Sequence, residues 1–541
     1  NVLVAGTTQG TITDMDGNYT LSAPEGAQLQ FSFIGFDNQS VAVVAGQSVY
    51  NVTLEDQATD LNEVVVMGYG VQKKKLVTGA TVQVKGDDLQ KLSTTSALSA
   101  MQSQTPGVNI VASSGQPGEG FKVNIRGAGT NGSTTPLYII DGVEGDINAL
   151  SPADIESLDV LKDAASAAIY GSRAANGVIL VTTKQGKAGK MQVSYDGYVG
   201  WQNVYKMPDL LDAKQYMQVM DYLNYSVGSA PYKWTNFMSQ ERYDAIQRGE
   251  DKGTNWLDEI RNENAITTNH AVNIAGGSEL SKFSIGVSYM KQDGILGKPA
   301  ASEYSRMTVR MNSEHILWKN KDKDYDIITF GENFYYNHNE RSGIQTGNQY
   351  ANDISWMLRA NPLVPVYNEK GEYYMYDDLK NDGWFGFNSY TSNPIASMAN
   401  SARANNKSKN YGVTMIGYLK IQPIKGLIYK GQFGYKQSSS SYRSYDPIYK
   451  INDSGESRTN NSVNQNMSAG WSWSVENTLG YNFDVAGNSF DILVGQSFKQ
   501  DGHGHGESMS ATANSLLFED WNRAYLSNST ASQPVSASGE P

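Results

Sequence analysis

Four short groups of residues have types and spacing that could do chemistry: Gly127-x-Gly129-x-x-Gly132, Asp141 with Glu144, His503-Gly504-His505, and Asp14-x-Asp16-Gly17-Asn18. In that order they could hold a pyrophosphate, act as an acid and a base, bind a metal ion, and begin a calcium loop. Each of these functions needs particular neighbours, so the surrounding sequence decides which of them to keep.

The three glycines lack the context of a dinucleotide site. Such a site needs a strand before the glycines and a helix that opens on them, because the helix N-terminus binds the pyrophosphate. Here Pro136 and a strand follow instead. We therefore expect Gly127, Gly129 and Gly132 to shape a loop.

The acidic and histidine groups also favour structural roles. Nothing around Asp141 and Glu144 would separate the pKa values of an acid and a base, and Asp141 beside Gly142 is typical of a turn. The two histidines have only Asp501 and Glu507 nearby, and the stretch after Asp14 lacks the closing glutamate of an EF-hand. The sequence has no cysteine. We expect no catalytic residue, no metal site and no cofactor, and so no enzyme.

Composition narrows the class further. The 541 residues carry a net charge of −12, and their one compact basic cluster is Lys73-Lys74-Lys75. A nucleic-acid-binding protein would show a basic stripe, so that class is set aside. No run approaches the roughly 18 apolar residues of a membrane helix. With 53 Gly and 33 Tyr, the chain suits either a soluble β-protein or a transmembrane β-barrel.

The first 190 residues predict three segments. Residues 1–57 read as a small β-sandwich of short strands and turns, and residues 58–75 are a linker. Within the linker, the β-prone run 61–70 is either an ordinary strand or an exposed segment that pairs with a partner's sheet edge. Residues 76–190 are mixed α/β, with a helix starting at Ser151 and an alanine-rich helix over 163–170.

From residue 191 to 541 the pattern changes to strands of about ten residues in which apolar and polar side chains alternate. Short turns alternate with long links over 203–265, 338–408 and 438–467, as in membrane barrels, which have short periplasmic turns and long outer loops. This pattern favours a membrane barrel over a soluble one, with roughly nine strands by Lys499. Because a barrel must close, we expect the chain to be cut short at this end, and its first strand suggests that it also begins inside a domain.

Several stretches resemble the plug domain of SusC/RagA-type TonB-dependent importers: 105–108, 114–118, 124–127, 136–142, 154–157, 160–179 and 182–184. Residues 1–57 resemble the carboxypeptidase-regulatory-like domain that precedes the plug in this family. The resemblance is strong over residues 1–190, and the remainder matches in pattern only. It implies a mainly β fold: the small β-sandwich, an α/β plug domain and part of a transmembrane antiparallel β-barrel of about 22 strands.

The resemblance also implies a set of functional residues. Glu63, Val64, Val65, Val66 and Met67 stand where the family has its TonB box, which favours the partner-strand interpretation of the linker. The plug motif contributes Arg126, Gly127, Asp141 and Gly142, which are structural with possible cargo contact, and Arg126 is expected in a buried ion pair. In the link 338–408, Trp384, Phe385 and Phe387 are speculative contacts to cargo or lid.

The implied function is import without chemistry. A bulky nutrient, foremost an oligosaccharide, would cross the outer membrane of a Gram-negative bacterium with a SusD-like surface lipoprotein as lid and TonB as energy source. The implied partners are TonB, the lipoprotein, the cargo and outer-membrane lipid. A peptide importer of the same family, a ligand-sensing transducer and an adhesin or structural porin remain as alternatives.

Overall fold

The computed structural model describes the whole chain except positions 1, 6, 8, 15–16, 33–38, 55–63, 68–69, 74–80, 103, 128–131, 164–166, 301, 321, 323–324, 349–351, 385–390, 401–405, 453–456, 501–506, 531–534 and 540–541. It divides into two compact units, Asn1–Ala80 and Thr81–Pro541.

The first unit contains one antiparallel sheet of four short strands with the order β2-β1-β3-β4. The strands are β1 (Val2–Val4), β2 (Gly10–Thr11), β3 (Gln28–Phe31) and β4 (Gln39–Ala42). Alternate residues of β1 and β3 point inward and form a small core of Val2, Val4, Leu29 and Phe31. The apolar stretches 19–21 and 49–54, whose sequence also predicts short strands of the sandwich, are not strands, although their side chains pack against this core.

A hairpin follows in the same unit. Strand β5 (Val64–Met67) pairs antiparallel with β6 (Gly70–Lys73), and the register places Val64 opposite Lys73 and Met67 opposite Gly70. Four of the five predicted TonB-box residues therefore form β5, and Glu63 lies outside the described residues.

The second unit begins with the mixed α/β segment. Its sheet has the order β11-β10-β13-β12-β7, and a separate hairpin is formed by β8 and β9. The elements are β7 (Thr81–Lys85), α1 (Gly86–Gln90), α2 (Ala97–Met101), β8 (Val108–Ala112), β9 (Phe121–Ile125), β10 (Leu137–Ile140), β11 (Val143–Glu144), β12 (Ile155–Leu161) and β13 (Val178–Thr183). Apolar side chains of this sheet and of α1 and α2 form its core.

The helix predicted to start at Ser151 is wrong in extent. The Ser151 side chain does cap the backbone N–H of Ala153, but only the single 3-10 turn Pro152–Asp154 follows, because Ile155 already belongs to β12. Of the predicted alanine-rich helix over 163–170, residues 164–166 lie outside the described residues, and its end belongs to a 3-10 segment, Ala168–Ala174, interrupted at Gly171 with φ 62°. Pairing with the sheet overrides the local helical signal in the first case.

Long antiparallel strands form the rest of the unit, each paired with its neighbours in the sheet. They are β14 (Gly189–Gln202), β15 (Ala265–Gly277), β16 (Ser281–Asp293), β17 (Glu303–Asn320), β18 (Tyr325–Ser342), β19 (Lys407–Ile424), β20 (Leu427–Asp446), β23 (Ser462–Val485), β24 (Asn488–Gln500), β25 (Glu507–Asn514) and β26 (Val535–Gly539), with a small hairpin of β21 (Tyr449–Lys450) and β22 (Ser457–Arg458) in one link. Nine long strands are complete by Gln500, as predicted. Their lengths of 13 to 24 residues exceed the predicted ten.

The predicted alternation of side chains is confirmed in these strands. Met307 and Met311 of β17 are exposed on the outer face, whereas Arg306 and Arg310 are buried on the inner face. The inner face of the sheet therefore carries a polar wall that can contact the α/β segment.

β24 and β25 both pair with β23, opposite 473–485 and 462–469, so they continue one another along one edge of that strand.

The long links fold together instead of forming separate loops. Residues of the links 203–264, 294–302 and 343–406 share one apolar core, and we call the described part of these three links the link lobe. Its helices are α3 (Ala213–Ser226), α4 (Gln240–Arg248), α5 (Trp256–Glu259), α6 (Asp353–Arg359), α7 (Tyr376–Asn381) and α8 (Pro394–Asn400). Within the described part of the chain, no helix has the length and apolar character needed to cross a membrane.

Candidate ligand cavity and plug anchor

A cavity of about 1110 Å³ lies between the α/β segment and the inner wall of the long strands. On one side it is lined by the loop between β8 and β9 and by residues that follow β10. On the other side it is lined by β17, β18, β19, β20 and β23. The wall residues lie in the parts of these strands that adjoin the long links, so the cavity is on the link side of the α/β segment.

The inward-facing side chains of the cavity wall include many hydroxyl, amide and phenol groups: Ser408, Ser438, Ser440, Ser468, Asn337, Asn339, Asn410, Tyr304 and Tyr335. Charged residues are balanced, with four acids and four bases: Glu119, Glu144, Asp146, Asp154, Arg306, Arg310, Arg341 and Lys436. Several of them already form ion pairs within the protein, including Glu119 with Arg341 and Asp154 with Arg310. The cavity therefore suits a polar ligand without net charge.

The floor of the cavity is the loop of residues 114–120, which we call the floor loop. Gln116 accepts a hydrogen bond from the backbone N–H of Ile344 at 2.9 Å, and Glu119 forms an ion pair with Arg341 at 3.0 Å. Gly118 has φ 73°, and a Cβ at this position would lie 2.3 Å from the ring of Tyr304. Glycine is therefore required here both by backbone conformation and by space.

The predicted turn at Asp141 and Gly142 is confirmed and touches the wall. With φ of 48° and 92°, these residues join β10 to β11 in the two-residue hairpin geometry that Asp-Gly favours. Asp141 accepts hydrogen bonds from the backbone N–H and the hydroxyl of Thr183, at 2.9 and 2.7 Å, and from the Asn333 side chain at 3.3 Å. Burial raises the pKa of the Asp141 carboxyl, against the lowering effect of the Thr183 hydrogen bonds.

Our prediction that Arg126 forms a buried ion pair is wrong. Its side chain is exposed, its φ is 58°, and its backbone N–H donates to the carbonyl of Gly107 at 3.0 Å. Gly127 follows with φ 91°. These two residues therefore form a backbone turn after β9, in agreement with the structural role expected for the glycine.

A buried ion pair between the α/β segment and the wall forms an anchor that the sequence reasoning missed. Asp154 forms an ion pair with Arg310 of β17 at 3.2 Å, and the two side chains are only 5% and 1% exposed. Thr308 donates to the same carboxylate at 3.0 Å, and Arg310 also donates to Asn273 and Ser284 and to the carbonyl of Lys184.

A second polar contact lies next to this anchor. Asn312 donates to the hydroxyl of Thr183 at 2.7 Å and to the carbonyl of Lys184 at 3.0 Å, and the Tyr335 hydroxyl lies 3.1 Å from the same Thr183 hydroxyl. In the sequence, Arg306, Thr308, Arg310 and Asn312 alternate with the apolar residues of β17 and therefore share one polar phase. Two arginines on that phase were the available signal for an acidic partner.

The remaining residues with possible chemistry are engaged or lie elsewhere. Glu144 forms ion pairs with Arg173 at 3.0 Å and with Lys499 of β24 at 2.5 Å. Its partners are therefore basic side chains, whereas the partners of Asp141 are hydroxyl and amide groups. No group of three or more His, Asp or Glu in the described part of the chain could hold a metal ion. His503 and His505 are outside the described residues.

The predicted aromatic contact at Trp384 needs correction. Trp384 is 1% exposed and stacks on Phe237 at 5.4 Å between ring centroids, inside the core of the link lobe. Its ring therefore stabilises the lobe and faces neither cavity nor solvent. Phe385 and Phe387 lie outside the described residues.

Comparison with known proteins agrees with this architecture. Residues 73–178 match the TonB-dependent receptor plug domain, and residues 1–66 match the CarboxypepD_reg-like domain. TonB-dependent receptor SusC of Bacteroides thetaiotaomicron is 35% identical over 416 residues, which cover 73% of this chain and 38% of that protein. TonB-dependent receptor P3 of Formosa agariphila is 31% identical over 510 residues, covering 92% and 46%.

A solved structure shows the same fold. The RagAB peptide importer in its open-open state aligns with a TM-score of 0.70 at 22% identity, covering 88% of this chain and 53% of that one. The chain thus spans about half, or less, of the length of the relatives that it matches. By sequence and by fold the chain is similar to the SusC/RagA type of TonB-dependent receptor, which places it in the outer membrane of a Gram-negative bacterium.

Proposed function

We propose that the full-length protein imports an oligosaccharide across the outer membrane, with energy delivered through TonB. The observation that carries this proposal is the 1110 Å³ cavity above the plug, with its hydroxyl-, amide- and phenol-rich wall. Sugars present many hydroxyl groups and apolar ring faces, which serine, asparagine and tyrosine side chains can bind. A balanced set of lining charges gives no reason to select a charged cargo.

The energy-coupling step is assigned to the linker. Val64–Met67 is a short β-strand whose only described partner is β6, and strand addition at an exposed sheet edge is a common way to recognise a peptide. We propose that Glu63, Val64, Val65, Val66 and Met67 form the TonB box and that TonB pairs with this stretch. A SusD-like lipoprotein would close the cavity from the link side.

Native mass spectrometry of the full-length protein, gently extracted from its outer membrane, tests the proposal. We expect an oligosaccharide and a surface lipoprotein to come with it. A bound peptide in place of the sugar would make it a peptide importer. A chain that comes out repeatedly alone and empty would favour a transducer and overturn the proposal.

A pair of variants on one strand tests the cavity itself. Ser438→Trp would fill space in the lining of β20, whereas Phe433→Trp changes an outward-facing side chain of the same strand that does not line the cavity. We expect only the first variant to lose cargo binding, measured by calorimetry with the cargo that mass spectrometry identifies. Equal binding by both variants would place the cargo elsewhere.

A further inference from the structure

The floor loop is bonded to the point where β18 leaves the wall and enters the link lobe. The side chain of Gln116 accepts the backbone N–H of Ile344, and Glu119 pairs with Arg341, the next-to-last residue of β18. A neutral hydrogen bond and an ion pair thus hold the two ends of the loop at one site on the wall.

The loop and the wall approach each other closely at two glycines. A Cβ on Gly118 would lie 2.3 Å from the ring of Tyr304, and a Cβ on Gly343 would lie 2.3 Å from the side-chain oxygen of Gln116. Two glycines, one on each side, therefore allow the loop and the wall to touch. A shift of the chain at Gly343 must move Gln116 or break its hydrogen bond.

On the other side, the same point is part of the link lobe. Ile344 is 7% exposed and belongs to the lobe core. The next residue, Gln345, exchanges two hydrogen bonds with Asp353 at the start of α6: its N–H donates to the carboxylate at 2.8 Å, and its carbonyl accepts the Asp353 N–H at 3.0 Å. Movement of α6 is thereby passed to Ile344 through backbone groups.

Within the plug, the loop is tied to the hairpin that it joins. Ser113 N–H donates to the carbonyl of Gly120 at 3.1 Å, which closes the loop at its base between β8 and β9. The Ile110 and Val123 side chains of that hairpin are buried in the plug core. Displacement of the floor loop therefore acts on packed plug residues.

We propose that Gln116 and Glu119 are positioning residues that couple the link lobe to the plug. The lobe sets the position of the cavity floor. In return, a ligand bound on the floor affects the position of the lobe, since coupling between two sites is reciprocal. The use of this coupling in import rests on the proposed function, whereas the coupling itself does not.

Spin labels can test the coupling because these 541 residues contain no cysteine, and any cysteine elsewhere in the full-length protein is first replaced by serine. One label is placed at Gly115→Cys in the floor loop, where a Cβ meets nothing within 4 Å, and the other at Lys370→Cys on an exposed turn of the lobe. The distance distribution is measured by pulsed electron paramagnetic resonance in the full-length protein without cargo. We expect one narrow distance in the parent and its loss in Gln116→Ala/Arg341→Ala.

Two further variants make the result specific. Arg341→Lys keeps the charge opposite Glu119 and should restore the narrow distance when Gln116 is intact. Lys409→Ala removes a neighbouring ion pair with Glu340, at 3.0 Å between β18 and β19, and should leave the distance unchanged. A double variant that stays as narrow as the parent, with a folded barrel, would overturn the coupling. Since no cargo is present, that result would leave the import proposal standing.

Discussion

Removal of the Arg310 side chain is the sharpest test of how the plug is held. In Arg310→Met, Asp154 keeps the Thr308 hydrogen bond at 3.0 Å but loses its cation in a site where the carboxylate is 5% exposed. Breaking a buried pair by removing one partner costs about 3–5 kcal/mol, because a charge is left without compensation. The Asn273 and Ser284 side chains on the wall also lose a donor.

That free energy corresponds to a factor of about 100 to several thousand in the population of detached plug. Hydrogen–deuterium exchange of the backbone amides of Ile155–Leu161, in the full-length protein in detergent, reports this population if detachment exposes the strand. We expect faster exchange there, while amides of the wall strands are unchanged. A conductance measurement in lipid bilayers should show a parallel increase in leak.

A second substitution separates the ion pair from general damage. Asp154→Ala added to Arg310→Met removes the uncompensated carboxylate, so the double variant should cost less than the sum of the two single variants. The exposed pair Arg248 and Glu250 in the link lobe provides the control, because water screens this pair and Arg248→Ala should leave stability unchanged within measurement error. Exchange in Arg310→Met within threefold of the parent would refute the anchor.

Four other changes have defined outcomes. Deletion of residues 63–67 should abolish uptake in cells and leave cargo affinity intact, and uptake that survives would sink the TonB-box assignment. Gly118→Ala should cost about 1–2 kcal/mol from its positive φ alone and more from the Tyr304 contact, and calorimetry should show weaker cargo binding. Trp384→Ala should destabilise the link lobe by about 3–5 kcal/mol, seen as faster proteolysis there, with cargo contacts preserved. Because the pKa of Asp141 is raised, the folded plug binds this proton more tightly than the unfolded chain does. The resulting contribution to the free energy of unfolding is complete in acid and is lost as pH rises through the folded pKa. Denaturant titrations at several pH values should show this loss in the parent and not in Asp141→Asn.

Features that depend on local pattern could be predicted from the sequence. The outward phase of the strands follows from a period of two residues, and exposed Val287 and Tyr289 next to buried Ser288 agree with it. The Asp141-Gly142 turn follows from the backbone preferences of an Asp-Gly pair. Neither depends on residues far away in the chain.

Features that depend on distant partners could not. Asp154 was taken as an acid at a helix start, and its real partner, Arg310, lies 156 positions later. Trp384 was taken as a loop residue, because nothing local shows that the links fold into one core with Phe237. Arg126 was expected in an ion pair on the strength of its charge, whereas its place is set by a backbone turn.

The distribution of these contacts explains how a plug can be held and still respond to load. The buried anchor holds Asp154, just before β12, and the neighbouring polar contact holds Thr183, at the end of β13. Strand β7 is an edge strand of the same sheet and pairs only with β12 among the described strands. Its first residue, Thr81, lies opposite Leu161, at the end of β12 away from Asp154, and in the sequence it comes after the linker that carries the proposed TonB box. Hydrogen bonds of an edge strand contribute about 0.5–1.5 kcal/mol each and can open one after another, whereas the anchor must lose a buried charge pair in one step. A pull through the linker should therefore peel β7 before it frees β12, so that part of the plug can yield while the anchored strands keep the cavity floor in place.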